Sequence, residues 1–109
     1  MNVVRWPIST SSRVLCVDGP LRTPIDGALR HRVQRLVRAG ERLILLDLSR
    51  VTRIDAAGIG ELVRAYNLAR AEAATLQVVN PTPWVEEIIQ RVGLDEILIA
   101  ETADVRVRC

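Results

Sequence analysis

The residues best suited to chemistry in this chain of 109 residues fall in one stretch, Asp47-Leu48-Ser49-Arg50-Val51-Thr52-Arg53-Ile54-Asp55-Ala56-Ala57-Gly58-Ile59-Gly60. Its two carboxylates, Asp47 and Asp55, are of the type that serves general acid and base catalysis. No set of nucleophile, base and orienting residue accompanies them, so an enzyme is not expected. Asp55 has a different logic. It precedes two alanines and then apolar residues at helical spacing, so its carboxylate can accept hydrogen bonds from the free N–H groups of a first helical turn. There it also meets the positive end of the helix dipole. Ala56, Ala57, Gly58 and Gly60 keep that end small, so that a flat surface or another backbone can approach closely. Two readings stay open here: a capped, tightly packed turn, or a turn that is also a docking face.

Composition narrows the chemistry further. All 15 basic residues are arginine, which removes a phosphate-loop lysine, a Schiff-base lysine and any lysine general base. Gly58-Ile59-Gly60 does not have the form of a phosphate-cradling loop. Asp47 ends an apolar run, as the phosphoacceptor of a two-component receiver domain does, but a receiver also needs a lysine late in the chain. His31, the single histidine, sits among helix arginines on the solvated side. Cys16 lies in an apolar run and Cys109 ends the chain. With no CxxC or Cys/His cluster, they suggest a buried thiol and a tail residue, not a disulfide framework or a zinc site. The net charge of +2, the absence of Phe and an aromatic content of 3% argue against a nucleic-acid partner. No stretch approaches a membrane span, and residues 1–12 lack the apolar core of a signal peptide. A cytoplasmic protein without direct membrane insertion and without a cofactor is expected.

The elements that must position the Asp55 turn follow from periodicity. Val3-Val4-Arg5-Trp6 is an extended segment stopped by Pro7, and Ser9-Thr10-Ser11-Ser12 is a polar turn. That first segment could form a sheet edge pairing with a second copy in a homodimer. Arg13-Val14-Leu15-Cys16-Val17 is a strand closed by Asp18-Gly19-Pro20. Thr23-Pro24 has the form of an N-cap and first-turn proline. Ile25, Leu29, Val33, Leu36 and Val37 then make an apolar helical face ending at Gly40, with Arg30, Arg32, Arg35 and Arg38 as a solvated opposite side. Leu43-Ile44-Leu45-Leu46-Asp47-Leu48 is too short for a free helix and fits a strand covered on both faces. A second helix opens near Gly58, with Ile59, Leu62, Val63, Tyr66 and Ala69 inward. Leu76-Gln77-Val78-Val79 is a strand. Thr82-Pro83 starts a third helix with Val85, Ile88, Ile89 and Val92 inward and Gly93 as its stop, and Ile97-Leu98-Ile99 reads as a last strand. Strands alternating with helices predict an α/β fold.

On the strand 43–49, the block from Asp55 to Gly60 with Leu62, the strand Leu76-Gln77-Val78-Val79-Asn80 and Val92-Gly93-Leu94, the sequence resembles a STAS domain, the family of sulphate-transporter tails and bacterial anti-sigma factor antagonists. The resemblance implies a single STAS-like domain over residues 13–100, with a four- to five-stranded mixed sheet and helices mainly on one face. Residues 1–12 would precede it as a strand and turn, and 101–109 would follow as a tail whose weak alternation specifies no element. In antagonists of this family the residue after the loop aspartate is a serine or threonine phosphorylated by an anti-sigma factor kinase. Here it is Ala56, a degenerate phosphorylation site. The next residue, often serine, is Ala57, and the acidic residue after the early Gly-x-Leu corner is Arg22.

The resemblance therefore implies a protein-binding regulatory module, not phospho-switched, whose contacts are Asp55, Ala56, Ala57, Gly58, Ile59, Arg22 and Arg53. Its partner would be an anti-sigma factor kinase or another ATPase-type regulatory protein. The alternative is a permanent structural subunit of a larger assembly, such as a stressosome-like shell or an ABC lipid-transport complex. Incubation with ATP and a cognate kinase is expected to leave residues 55–58 unmodified, which mass spectrometry of the treated protein checks. Ser49 and Thr52, whose ordinary role is loop hydrogen bonding, are the hydroxyls that remain in the loop.

Overall fold

The unbroken apolar run beginning at Leu43 occupies the middle of a sheet. In the computed structural model, which describes residues 2–5 and 12–99, that run lies in β3, Leu43–Arg50, between β2, Ser12–Asp18, and β4, Thr75–Val79. These three strands are parallel, and β1, Asn2–Arg5, pairs antiparallel with β2 at the sheet's edge. Ile44, Leu46 and Leu48 are buried on one face of β3 and Leu45 on the other. Both faces of the run are thus covered, as its composition requires.

Right-handed crossovers between parallel strands laid down in one direction put the connecting helices on the same face. Helix α1, Ala28–Arg38, connects β2 to β3, and α2, Ala56–Ala71, connects β3 to β4. Leu29, Val33 and Val37 of α1 join Leu62, Ala65 and Ala69 of α2 in one core against Leu15, Ile44, Leu46 and Leu76. Helix α3, Pro83–Arg91, adds Val85 and Ile89 to this core, and the single turn α4, Asp95–Leu98, adds Leu98. Burying one such Leu or Ile side chain contributes about 1.5–3 kcal/mol. Among the described residues, the opposite face holds a smaller cluster of Val14, Cys16, Leu45 and Val79.

Several expectations need correction. Residues 97–99 are not a fifth strand: Asp95 and Glu96 open the turn α4, and Ile99 alone touches the sheet, as an isolated bridge to Val78. Helix α1 does not begin at Thr23-Pro24. Its entry is Gly27 in the left-handed region, with Asp26 Oδ1 accepting the Ala28 N–H at 2.9 Å, so Ile25 lies before the helix. Helix α2 begins at Ala56, two residues before Gly58, because Asp55 caps it. Val92 is exposed, since α3 has ended by the time the chain reaches it. Cys16 is buried as its apolar neighbours predict but is disulfide-bonded, an oxidation state that hydropathy does not encode. Ser12, expected to end the polar turn, is the first residue of β2, and Trp6, residues 9–11 of that turn and the tail with Cys109 lie outside the described residues. Among the described residues, no helix is long and apolar enough to cross a membrane.

Three helices end alike. After α1, the Gly40 N–H donates to Val37 O and the Glu41 N–H to Leu36 O, with Gly40 at positive φ. Gly93 plays the same part after α3, through Gln90 O and Ile89 O. This is the paired closure that satisfies the last carbonyls of a helix and asks for a left-handed residue. After α2 the same position holds Ala73, at φ 59°. A Cβ there is disfavoured by roughly 1–2 kcal/mol, partly offset by the greater freedom glycine has when unfolded. Ala73→Gly is therefore expected to stabilise the protein by about 0.5–1 kcal/mol, read as a raised denaturation midpoint in urea.

Candidate functional site

The Asp55 turn is built from two loops that leave the sheet side by side. Past Gly19 and Pro20, Leu21 runs parallel to Ile54 as an isolated bridge. The Leu21 N–H donates to Arg53 O at 2.9 Å, and the Asp55 N–H donates to Leu21 O at 3.2 Å. The loop after β2 is thereby joined to the loop after β3. Thr82, the N-cap of α3, adds a tie by donating its hydroxyl to Val51 O at 3.0 Å.

Asp55 then fastens both loops to α2. Its Oδ1 accepts the Gly58 N–H at 2.9 Å, and its Oδ2 accepts the Thr23 N–H at 2.9 Å. These backbone donors, Thr23 foremost and then Gly58, favour the ionised form and hold the carboxyl below its ordinary value. Gly58 makes the arrangement sterically possible. A Cβ at that position would lie 2.0 Å from Leu21 O and 2.9 Å from the Ile54 side chain. No other residue fits without moving the loop.

The residues expected to form the site divide accordingly. Ala56, the first residue of α2, is exposed, and Asp55 and Ala57 beside it are half-buried. Arg22 and Arg53 are exposed and flank the Leu21–Ile54 bridge, so sequence-distant positions meet at one corner. Gly58 is buried under Leu21, which makes it a packing residue and not a contact surface. Ile59 is half-buried and packs against the core.

Asp47 is not available as an acid/base partner for Asp55. It is buried, with Oδ1 accepting from the Ser49 N–H and hydroxyl and Oδ2 from the Asn80 amide. That leaves Ser49 in the hydrogen-bonding role expected of it. Among the described residues, no three His, Cys, Asp or Glu side chains are grouped to hold a metal ion.

Two groups escaped sequence reasoning. Thr23, expected only as an N-cap of α1, instead binds Asp55, chiefly through its backbone N–H. Glu61 did leave one: Gly58, Glu61, Leu62, Ala65 and Ala69 are the buried residues of α2, so a glutamate stands among the inward-facing residues of the helix. It is 1% exposed, with Oε1 at 2.7 Å from Arg30 Nε, an ion pair without hydrogen-bond alignment.

With this geometry established, comparison with known proteins is decisive at the family level. A family model described as "Mlab, STAS domain" matches residues 5–100. The chain belongs to the STAS domain family. This STAS domain is similar in structure to the anti-sigma factor antagonist SpoIIAA in its unphosphorylated form, with 20% identity, a TM-score of 0.69, and coverage of 94% of this chain and 89% of that one. The phosphorylated form of the Bacillus cell fate determinant SpoIIAA gives 18% identity and a TM-score of 0.67, covering 94% and 92%. A putative anti-sigma factor antagonist from Thermotoga maritima gives 22% identity and a TM-score of 0.66, covering 84% and 80%. At these identities the likeness is one of fold. No curated protein sequence matches this domain.

Asp55 makes the corner sensitive to acid. Because its folded value is depressed, its contribution is complete above the ordinary value of 3.8 and is lost as pH falls through the lower folded value. Asp55→Asn retains a capping side chain without the charge. The variant is expected to melt below the parent at neutral pH, with the gap closing as pH drops past 3.8. Thermal melts from about pH 7 down to about pH 2 check this.

Proposed function

We propose that this STAS domain is a non-enzymatic, protein-binding regulatory module of the anti-sigma factor antagonist type. It docks the corner of Asp55, Ala56 and Ala57, rimmed by Ile59, Arg22 and Arg53, onto an ATPase-type regulatory partner such as an anti-sigma factor kinase. Gly58 serves this surface from beneath, by letting Leu21 seat against α2.

The observation that carries the reading is Ala56, an exposed, hydroxyl-free residue at the start of α2, directly after the capping carboxylate. A phosphate there would add a charge of about −1.5 to −2 next to Asp55 and work against docking. Alanine cannot accept one, so the corner stays in a single, binding-competent state. Arg22 and Arg53 give its rim positive charge, which suits acidic groups of the partner at those two points.

The same alanine favours a second reading, a subunit held permanently in a larger assembly of the stressosome or ABC lipid-transport kind. The two differ in what accompanies the protein out of its host. An exchangeable ATPase regulator indicates the first, and a complex of constant stoichiometry through size-exclusion chromatography indicates the second.

The shared docking surface is tested by Ala56→Asp. An acidic residue suits the first turn of a helix, so the melting temperature is expected to hold. Recovery of an ATPase-type partner by affinity capture from the native host, quantified by mass spectrometry, is expected to fall about tenfold or more, equivalent to about 1.4 kcal/mol or more. Equal recovery with parent and variant would show that the corner is not the docking face.

A further inference from the structure

We propose that the cleft between the loop preceding α1 and the first turns of α2 receives a basic side chain of the docked partner, with Glu61 as its counter-ion. The inference rests on the docking reading above and names the partner's chemistry at a second point.

The cleft has a volume of about 220 Å³, enough for one side chain. Val17, Leu21 and Leu29 give it apolar walls, and Asp18, Asp26 and Glu61 supply carboxylates. Two of these are already engaged. Asp18 pairs with Arg50 at 3.4 Å, and Asp26 Oδ1 accepts the Ala28 N–H. Glu61 is different. Its side chain is 1% exposed, and neither carboxylate oxygen accepts a hydrogen bond among the described residues. Arg30 approaches Oε1 alone, from a side chain that is itself 43% exposed.

A buried carboxylate lacking hydrogen bonds is costly, and a cationic donor is the group that relieves it. The apolar walls suit the methylene stem of arginine or lysine, which packs on such surface while its charged end seeks a partner. Arg22 also lines the cleft, but it is exposed and forms no ion pair with Glu61. The cleft is continuous with the docking corner because Leu21 and Arg22 belong to both. A protein seated on Asp55 and Ala56 therefore lies across the cleft's rim.

The test is a titration of the isotopically labelled full chain, followed by amide NMR, with the dipeptide-like probe N-acetyl-arginine N-methylamide. Its neutral isostere made from citrulline is the control. The arginine probe is expected to shift the Leu21, Leu29 and Glu61 amides saturably in the millimolar range, with the citrulline probe at least about tenfold weaker. In Glu61→Gln the arginine response is expected to disappear. Absence of shifts at these amides, or equal shifts with citrulline, would overturn the proposal, as would an undiminished response in a folded Glu61→Gln protein. If that variant does not fold, the citrulline comparison on the parent decides. The probe needs no partner, so a silent titration overturns the cleft while leaving the Ala56→Asp capture result standing. A failed capture alongside a saturable titration overturns the docking reading, and with it the partner as source of the cation.

Discussion

The carbonyl of Leu21 is the point on which the fold and the site jointly depend. It accepts the Asp55 N–H, and it sits where any side chain at residue 58 would have to be. One oxygen therefore sets the spacing between the loop after β2 and the start of α2. Because α2 is anchored there, its first residue emerges at the surface and Ala56 is presented outward. Had residue 58 carried a Cβ, the loop would be displaced, the Leu21–Ile54 bridge opened and Asp55 moved away from the Thr23 N–H.

Charge is layered around that contact. At the surface, the exposed Arg22 and Arg53 lie in the same two loops as a carboxylate whose oxygens each accept a backbone N–H, so Asp55 contributes a negative point beside a positive rim. One turn further along α2, Glu61 is buried beside Arg30, and such an imperfectly matched pair is weak support for stability. The exposed Asp18–Arg50 pair, by contrast, is worth about 0–1 kcal/mol and decides little. Two acidic groups on one helix thus hold opposite positions, Asp55 satisfied and Glu61 in deficit.

Much of this was legible in the residues. The run from Leu43 announced a doubly covered strand, Thr82-Pro83 announced α3, and Asp55 before two alanines announced a capped helix. Each of these signals is local, and each capping bond closes within a few residues of its donor. What could not be read depended on partners distant along the chain. Nothing in the sequence near Gly58 says that Leu21 will lie against it, or that the second donor to Asp55 is a threonine's backbone. Ile97-Leu98-Ile99 has strand composition, but Asp95 and Glu96 before it start a helical turn, and tertiary context uses Ile99 for a single bridge. Glu61 was visible in the helical spacing, yet it was masked by its polar type, because acidic residues at inward positions are uncommon.

The order of the strands has a consequence for how the chain reaches this state. Ser12 pairs with Leu43, and Leu43 with Thr75, each across an entire intervening helix. Among β2, β3 and β4 there is accordingly no tight hairpin from which pairing could spread residue by residue. Each ladder closes only after a long loop has been gathered in, a topology associated with slower folding than local pairing allows. Helices α1 and α2 occupy those loops and carry the apolar residues that pack on the strands. The corner at Leu21 likewise joins residue 21 to residues 53 and 55 across α1 and β3, so it too rests on pairing between distant parts of the chain.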